Sequence, residues 1–161
     1  MNTYVKYNPI GFIHSPFKTI ENMPIQPGGA VGIPGSVELF AEYQPALQDL
    51  DGFSYIYLLY HFHRVNGVSL TPTPFLDSKP HGLFATRAPK RPNPIGLSIV
   101  KLISVEESIL HIENVDILDG TPLLDIKPYI PAFDHVEAAH IGWLERYVFD
   151  IKTYRSDQRF K

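Results

Sequence analysis

The chain has 161 residues, 44% of them hydrophobic, no cysteine, and a net charge of −3 from 14 Lys and Arg against 17 Asp and Glu. That composition excludes disorder and, with it, a disulfide scaffold, a cysteine nucleophile and a cysteine zinc site; it argues against a broadly basic nucleic-acid binder while leaving room for a local basic patch. No apolar run approaches the roughly 20 residues of a membrane span, and the N-terminal MNTYVKYNPIGF lacks the apolar core of a secretion signal, so a single intracellular, cytoplasmic domain over residues 1–161 is expected.

Fifteen prolines cut the chain into short segments, which predicts strands joined by shaped loops and not a helix bundle. Tyr4–His14 reads as a first strand stopped at Ser15-Pro16. Residues 21–35, ENMPIQPGGAVGIPG, hold too much proline and glycine for a regular element and read as a long loop. Ser36–Phe40 is short and β-prone, and Ala41–Leu50 reads as two turns of helix closing at Gly52. Phe53–Arg64, FSYIYLLYHFHR, is the strongest strand signal. Phe53, Tyr55, Tyr57, Leu59, His61 and His63 fall on one face, and Ser54, Ile56, Leu58, Tyr60, Phe62 and Arg64 on the other. Both faces are largely apolar, so a central strand covered on both sides is predicted.

Residues 66–81 return to loop. Gly82–Thr86 reads as a short strand, Arg87–Pro94 as an irregular loop, and Ile95–Val105 and Ser108–Ile117 as strands, the second with Leu110, Ile112 and Val115 inward. Asp119-Gly120 is a turn signal. Leu123–Lys127 is short and extended, ending at Pro128–Pro131. His135–Tyr147 reads as a helix around Trp143, and Phe149–Tyr154 as a last strand. The sum is a mainly β fold: a barrel or sandwich of about seven short strands, with one or two short helices and long Pro/Gly-rich loops. Strands do not alternate with helices, which excludes a Rossmann arrangement.

Three segments have the makings of a site. RAPKRPNP places Arg87, Lys90 and Arg91 in five residues among prolines that fix φ, a rigid cationic loop suited to a carboxylate, a phosphate or a nucleobase edge. Asp119-Gly120-Thr121-Pro122 offers backbone groups at a second rigid turn, and PIQPG offers the Gln26 amide and the Gly28 backbone. Each reads equally as an ordinary loop when taken alone. His61 and His63 share a strand face, but the third ligand that a metal needs has no evident source, so no metal is expected. The nucleotide-binding signatures GxGxxG and GxxxxGK[ST] are absent, as is GxSxG.

Taken together and in order, the blocks IGFIHSPF (Ile10–Phe17), QPG (Gln26–Gly28), FSYIYLLYHFHR (Phe53–Arg64), GLFATRAPKRPNPIGLS (Gly82–Ser98) and DGTPLLDIKPYIP (Asp119–Pro131) resemble the TsaA-like, or TrmO, family. The resemblance implies a small β-barrel and a homodimer with the cofactor site near the subunit contact. It implies an S-adenosylmethionine-dependent tRNA methyltransferase acting on N6 of threonylcarbamoyladenosine, the modified base beside the anticodon. It places Gln26, Pro27, Gly28, His63, Arg64, Arg91, Leu118, Asp119, Gly120 and Thr121 at the cofactor, with Leu102 or Lys101 beside them. Three positions depart from the family's usual pattern: Ile25 before QPG, Lys90 before RPNP, and Arg64. The chain resembles a short form without the additional C-terminal domain of bacterial members.

A sulfonium donor transfers its methyl group by in-line displacement, so alignment is the main demand and no metal is required. The acceptor nitrogen is conjugated and poorly nucleophilic, which calls for a base, with His63 and Asp119 as candidates. Arg87, Lys90 and Arg91 would hold phosphate or the threonyl carboxylate, so that a local patch reconciles a net negative chain with RNA. The competing reading is a non-catalytic module that binds S-adenosylmethionine or a nucleotide.

Overall fold

A computed structural model describes residues 3–137, 140–147 and 153–160. Six antiparallel strands carry the fold: β1 (Gly11–His14), β2 (Pro34–Leu39), β3 (Tyr55–His61), β4 (Ile95–Glu106), β5 (Ile109–Glu113) and β6 (Thr121–Pro128). They close into a barrel in the order β1-β2-β5-β4-β3-β6, with β6 pairing back to β1. Closure leaves no free edge.

Alternation along each strand fills the interior. Ile13 of β1, Val37 and Leu39 of β2, and Ile56, Leu58 and Tyr60 of β3 point inward. Val100 and Leu102 of β4, Leu110 and Ile112 of β5, and Leu123 of β6 complete the layer. Burying each such side chain contributes roughly 1.5–3 kcal/mol. Val115 and Ile117, in the segment after β5, join the same core. The β3–β6 register slips between Leu59 and Tyr60, a bulge that turns the end of β3 as it leaves the barrel.

Several sequence expectations change. Among the described residues there are six strands and not about seven, and Gly82–Thr86 is no strand. Leu83–Ala85 forms a 3-10 turn, and the Thr86 hydroxyl donates to the Leu83 carbonyl at 2.8 Å. The first strand starts only at Gly11. Pro45 sits inside Ala41–Leu47, which is 3-10 and not α-helical. Among the described residues the outer face of β3 is only partly covered: Tyr55 is 39% exposed and Tyr57 is half-buried, edge-on to Tyr129, while Tyr60 faces the core at 6%. The expected helix over 135–147 is replaced by a one-turn α1 (Pro131–Asp134) and a 3-10 segment, Gly142–Tyr147. Trp143 anchors that segment, donating its indole N–H to the Ala85 carbonyl at 2.8 Å. The expected strand Phe149–Tyr154 lies chiefly outside the described residues. Among the described residues no helix is long and apolar enough to cross a membrane.

Candidate active site

A pocket of about 360 Å³ opens where the end of β3 meets the start of β4, within the roughly 300–1,000 Å³ of small-molecule sites. Four further segments complete its wall: the loop at 23–27, the proline loop at 86–91, the turn at 116–121, and the chain's last described stretch at 156–160. Apolar side chains such as Phe62, Ile95, Leu97 and Leu118 dominate, and the polar minority includes Gln26, His63, Arg64, Arg87, Arg91, Asp116 and Asp157.

The proline loop is held by its own arginine. Nη1 of Arg91 donates to the carbonyls of Thr86 at 2.9 Å, Ala88 at 3.2 Å and Leu83 at 3.5 Å. Its guanidinium also lies 5.7 Å from the centre of the Phe84 ring. Arg91 therefore lines the pocket, as expected of a guanidinium facing a ligand, and also spends Nη1 on the loop. Arg87, by contrast, is exposed at the rim.

The turn after Ile117 is tied from both sides. Gly120 adopts φ +73°, a left-handed conformation that glycine takes without strain. The Thr121 hydroxyl donates to the Leu118 carbonyl at 2.6 Å and lies 3.4 Å from Nδ1 of His63. Burial, then the charge of Arg64, pushes the His63 imidazole below its usual range, so His63 is neutral at pH 7.

Asp119 does not line the pocket. Its Oδ2 accepts from Lys18 Nζ at 2.6 Å and its Oδ1 from the Ser15 backbone N–H at 3.0 Å. The Lys18 hydrogen bond holds its carboxyl below the usual range. It clamps the turn to the segment after β1. Leu102 is in the barrel core because β4 alternation turns it inward, and Lys101 pairs with Glu113 at 3.6 Å. Gly28, Gly120 and Lys90 do not line the pocket either. Gln26, Pro27, His63, Arg64, Arg87, Arg91, Leu118 and Thr121 do. His61 sits on the exposed outer side of β3. Among the described residues no group of three or more His, Asp or Glu is placed to hold a metal.

The sequence reading missed a polar chain on the pocket wall. Ser98 Oγ donates to Asp116 Oδ1 at 2.7 Å, and Tyr60 OH lies 3.0 Å from Ser98 Oγ. A serine has one proton, and Asp116 takes it, so Tyr60 is the donor to Ser98. Burial raises the Asp116 carboxyl to about 6, against the pull of Ser98 and the more distant Arg87. Burial, then the charge of Asp116, pushes the Tyr60 phenol well above its usual value. The signal available in the sequence was Ser98, a polar residue at a core position of IGLSIV.

The C-terminal stretch was also unforeseen. Ser156 Oγ donates to the Ile20 carbonyl at 2.5 Å and accepts the Met23 N–H at 2.9 Å, while Phe160 packs edge-on against Phe75 at 5.0 Å.

Residues 12–135 match the family described as tRNA-methyltransferase O N-terminal domain. A probable S-adenosyl-L-methionine-binding protein of Pyrococcus abyssi is 53% identical over 154 residues, covering 96% of this chain and 84% of that protein. The tRNA (adenine(37)-N6)-methyltransferase of Escherichia coli is 39% identical over 150 residues, covering 87% of this chain and 64% of that protein. A crystal structure of TrmO from Pseudomonas aeruginosa superposes with a TM-score of 0.74 at 38% identity, over 88% of this chain and 63% of that one. The chain thus spans under two thirds of the length of these last two relatives.

Proposed function

The chain belongs to the tRNA-methyltransferase O family, and from that membership we propose that it is an S-adenosylmethionine-dependent methyltransferase acting on N6 of threonylcarbamoyladenosine beside the anticodon of a tRNA. The observation that carries this reading is convergence. Gln26 and Pro27, His63 and Arg64, Arg91, and Leu118 and Thr121 come from four separate blocks of sequence and line one pocket. Its size and largely apolar wall suit a nucleoside with an amino-acid tail.

In this reading Gln26 offers its amide, and Arg64 and Arg91 offer charge to the donor's carboxylate. Leu118 and Thr121 present backbone groups from a turn fixed by the Thr121 hydroxyl. When bound, S-adenosylmethionine supplies an activated methyl group on a sulfonium, and the displacement needs no metal. The chain's part is to align two substrates, worth up to roughly 7–11 kcal/mol of the barrier. Arg87 at the rim meets the RNA, as phosphate or threonyl carboxylate, and the compartment is the one that holds tRNA, the cytoplasm.

A homodimer completes the site. Tyr55, Tyr57 and Leu59 on β3 stand beside Ile95, Leu97 and Ile99 on β4 as one outer apolar face, with Tyr57 opposite Ile99 and Leu59 opposite Leu97. Leu97 is 50% exposed. Ile95 and Leu97 also line the pocket, so a second copy seated on this face would wall the cofactor's open side.

Calorimetry with S-adenosylmethionine tests the cofactor assignment, with micromolar-class binding expected and no heat at saturating ligand as the contrary result. Binding without methylation of tRNA would instead mark a non-catalytic binding module.

A further inference from the structure

On the reading just given, we propose that Asp116 is the proton acceptor of the methyl transfer, with Ser98 and Tyr60 as the residues that position it. Asp116 lines the pocket and is hydrogen-bonded through Oδ1 to Ser98. No ion pair forms to it among the described residues. The other carboxylates are engaged: Asp119 is held by Lys18 and Ser15 outside the pocket, and Asp157, also on the wall, pairs with Arg159 at 2.8 Å.

Tyr60 is 6% exposed and Ser98 2%. Tyr60 and Asp116 both line the pocket, but the Tyr60 phenol, held well above its usual range, stays protonated at neutral pH. The chain Tyr60–Ser98–Asp116 fixes the carboxylate's orientation and leaves Asp116 as its one member able to accept a proton. Its wall neighbours Ile117 and Leu118 withhold solvent from the charge and strengthen it as a base. A carboxyl raised to about 6 is ionised at neutral pH yet more basic than an exposed aspartate, which suits general-base work there.

The balance is simple. As the bond from N6 to the methyl carbon forms, the carbon–sulfur pair returns to sulfur, and the N6 proton passes to Asp116. The protonated carboxyl then releases it to water once the product has left. Burial sets its titration against the pull of Ser98 on β4 and Arg87 on the proline loop, with Tyr60 on β3 coupled to it; the other charged or titratable groups around the same pocket are His63, Arg64, Arg91 and Asp157.

Asp116→Asn keeps the Ser98 hydrogen bond and removes the base. With S-adenosylmethionine and tRNA bearing threonylcarbamoyladenosine, its kcat should fall by about a hundredfold or more, while calorimetric affinity for S-adenosylmethionine stays within about threefold. Wild-type kcat should rise with pH to a plateau above about 6, and the variant should lack that limb. In the protein alone, carbon NMR of the Asp116 carboxyl should titrate near 6. Activity retained by the variant overturns the proposal, as does titration in the ordinary aspartate range. A collapse of cofactor affinity overturns it too, making Asp116 an anchor of the donor. If the wild type binds S-adenosylmethionine and methylates no tRNA, the functional reading itself has failed; if the wild type methylates and the variant matches it, only the base assignment has.

Discussion

The ring of Tyr60 occupies the space that a side chain at position 96 would need. The two residues face each other across β3 and β4, and a Cβ built on Gly96 would overlap the Tyr60 ring. The glycine of RPNPIG is therefore a packing requirement of the strand beside it. It lets a phenol lie inside the barrel end where Ser98 and Asp116 complete the polar chain.

Gly96→Ala forces that ring to move. We expect a loss of roughly 1–3 kcal/mol, the usual cost of overpacking, together with weaker cofactor binding because the pocket wall shifts. Urea denaturation and calorimetry on the same variant check both. Unchanged stability would mean that the barrel end yields freely.

Arg91→Ala removes a cation that holds three carbonyls of the loop at residues 83–88. A hydrogen bond to a charged group is worth about 1.5–3 kcal/mol. A fall in melting temperature of about 3–12 °C is expected at this chain length, with cofactor affinity reduced alongside. Because Nη1 alone makes all three contacts, Arg91→Lys should recover part of the melting temperature where its ammonium reaches the same carbonyls. A variant that loses affinity at unchanged melting temperature would show that the loop stands without its clamp.

Ser156→Ala removes the hydroxyl that bonds Ile20 and Met23. Amide exchange at Met23 should accelerate, and affinity for S-adenosylmethionine should drop a few-fold, since Ser156 lines the pocket. Hydrogen-exchange mass spectrometry reads the first effect. An unchanged exchange rate would show that the 156–160 stretch does not support the 20–26 loop.

Asp116 also makes a prediction about stability. Its folded carboxyl lies at about 6, raised from 3.8, so the folded state binds its proton more tightly than the unfolded state does. The stabilisation from that preference is complete below about pH 4 and is lost as pH rises through about 6. The shift is of order 3 kcal/mol. Asp116→Asn should escape this loss and gain stability over the wild type between pH 4 and pH 7. Parallel denaturation curves at both pH values would contradict it.

The barrel was legible because its inner layer alternates cleanly. Ile56, Leu58 and Tyr60, or Leu110 and Ile112, declare their faces by spacing alone. Gly82–Thr86 misled because its apolar residues suit a strand while Thr86 folds back on the Leu83 carbonyl, a local bond that composition does not reveal. The rigid loops at Gln26, Arg91 and Thr121 could be picked out by proline and glycine, and the structure brings them together at one pocket. The roles of Asp119 and Asp116 could not be told apart from sequence. Each is an aspartate three residues from the other; the partners that separate them are Lys18 and Ser98, 101 and 18 residues away. The contribution of Ser156 and Phe160 depends on a long-range return of the chain and has no local signature.

The central claim is methyl transfer to a modified adenosine of tRNA. The most direct measurement is mass spectrometry of nucleosides from tRNA incubated with the full chain and S-adenosylmethionine. The account predicts that threonylcarbamoyladenosine becomes heavier by one methylene, with the mass on N6, and that Arg64→Ala sharply reduces the product. Unmodified nucleosides after incubation with protein that demonstrably binds the cofactor would contradict it.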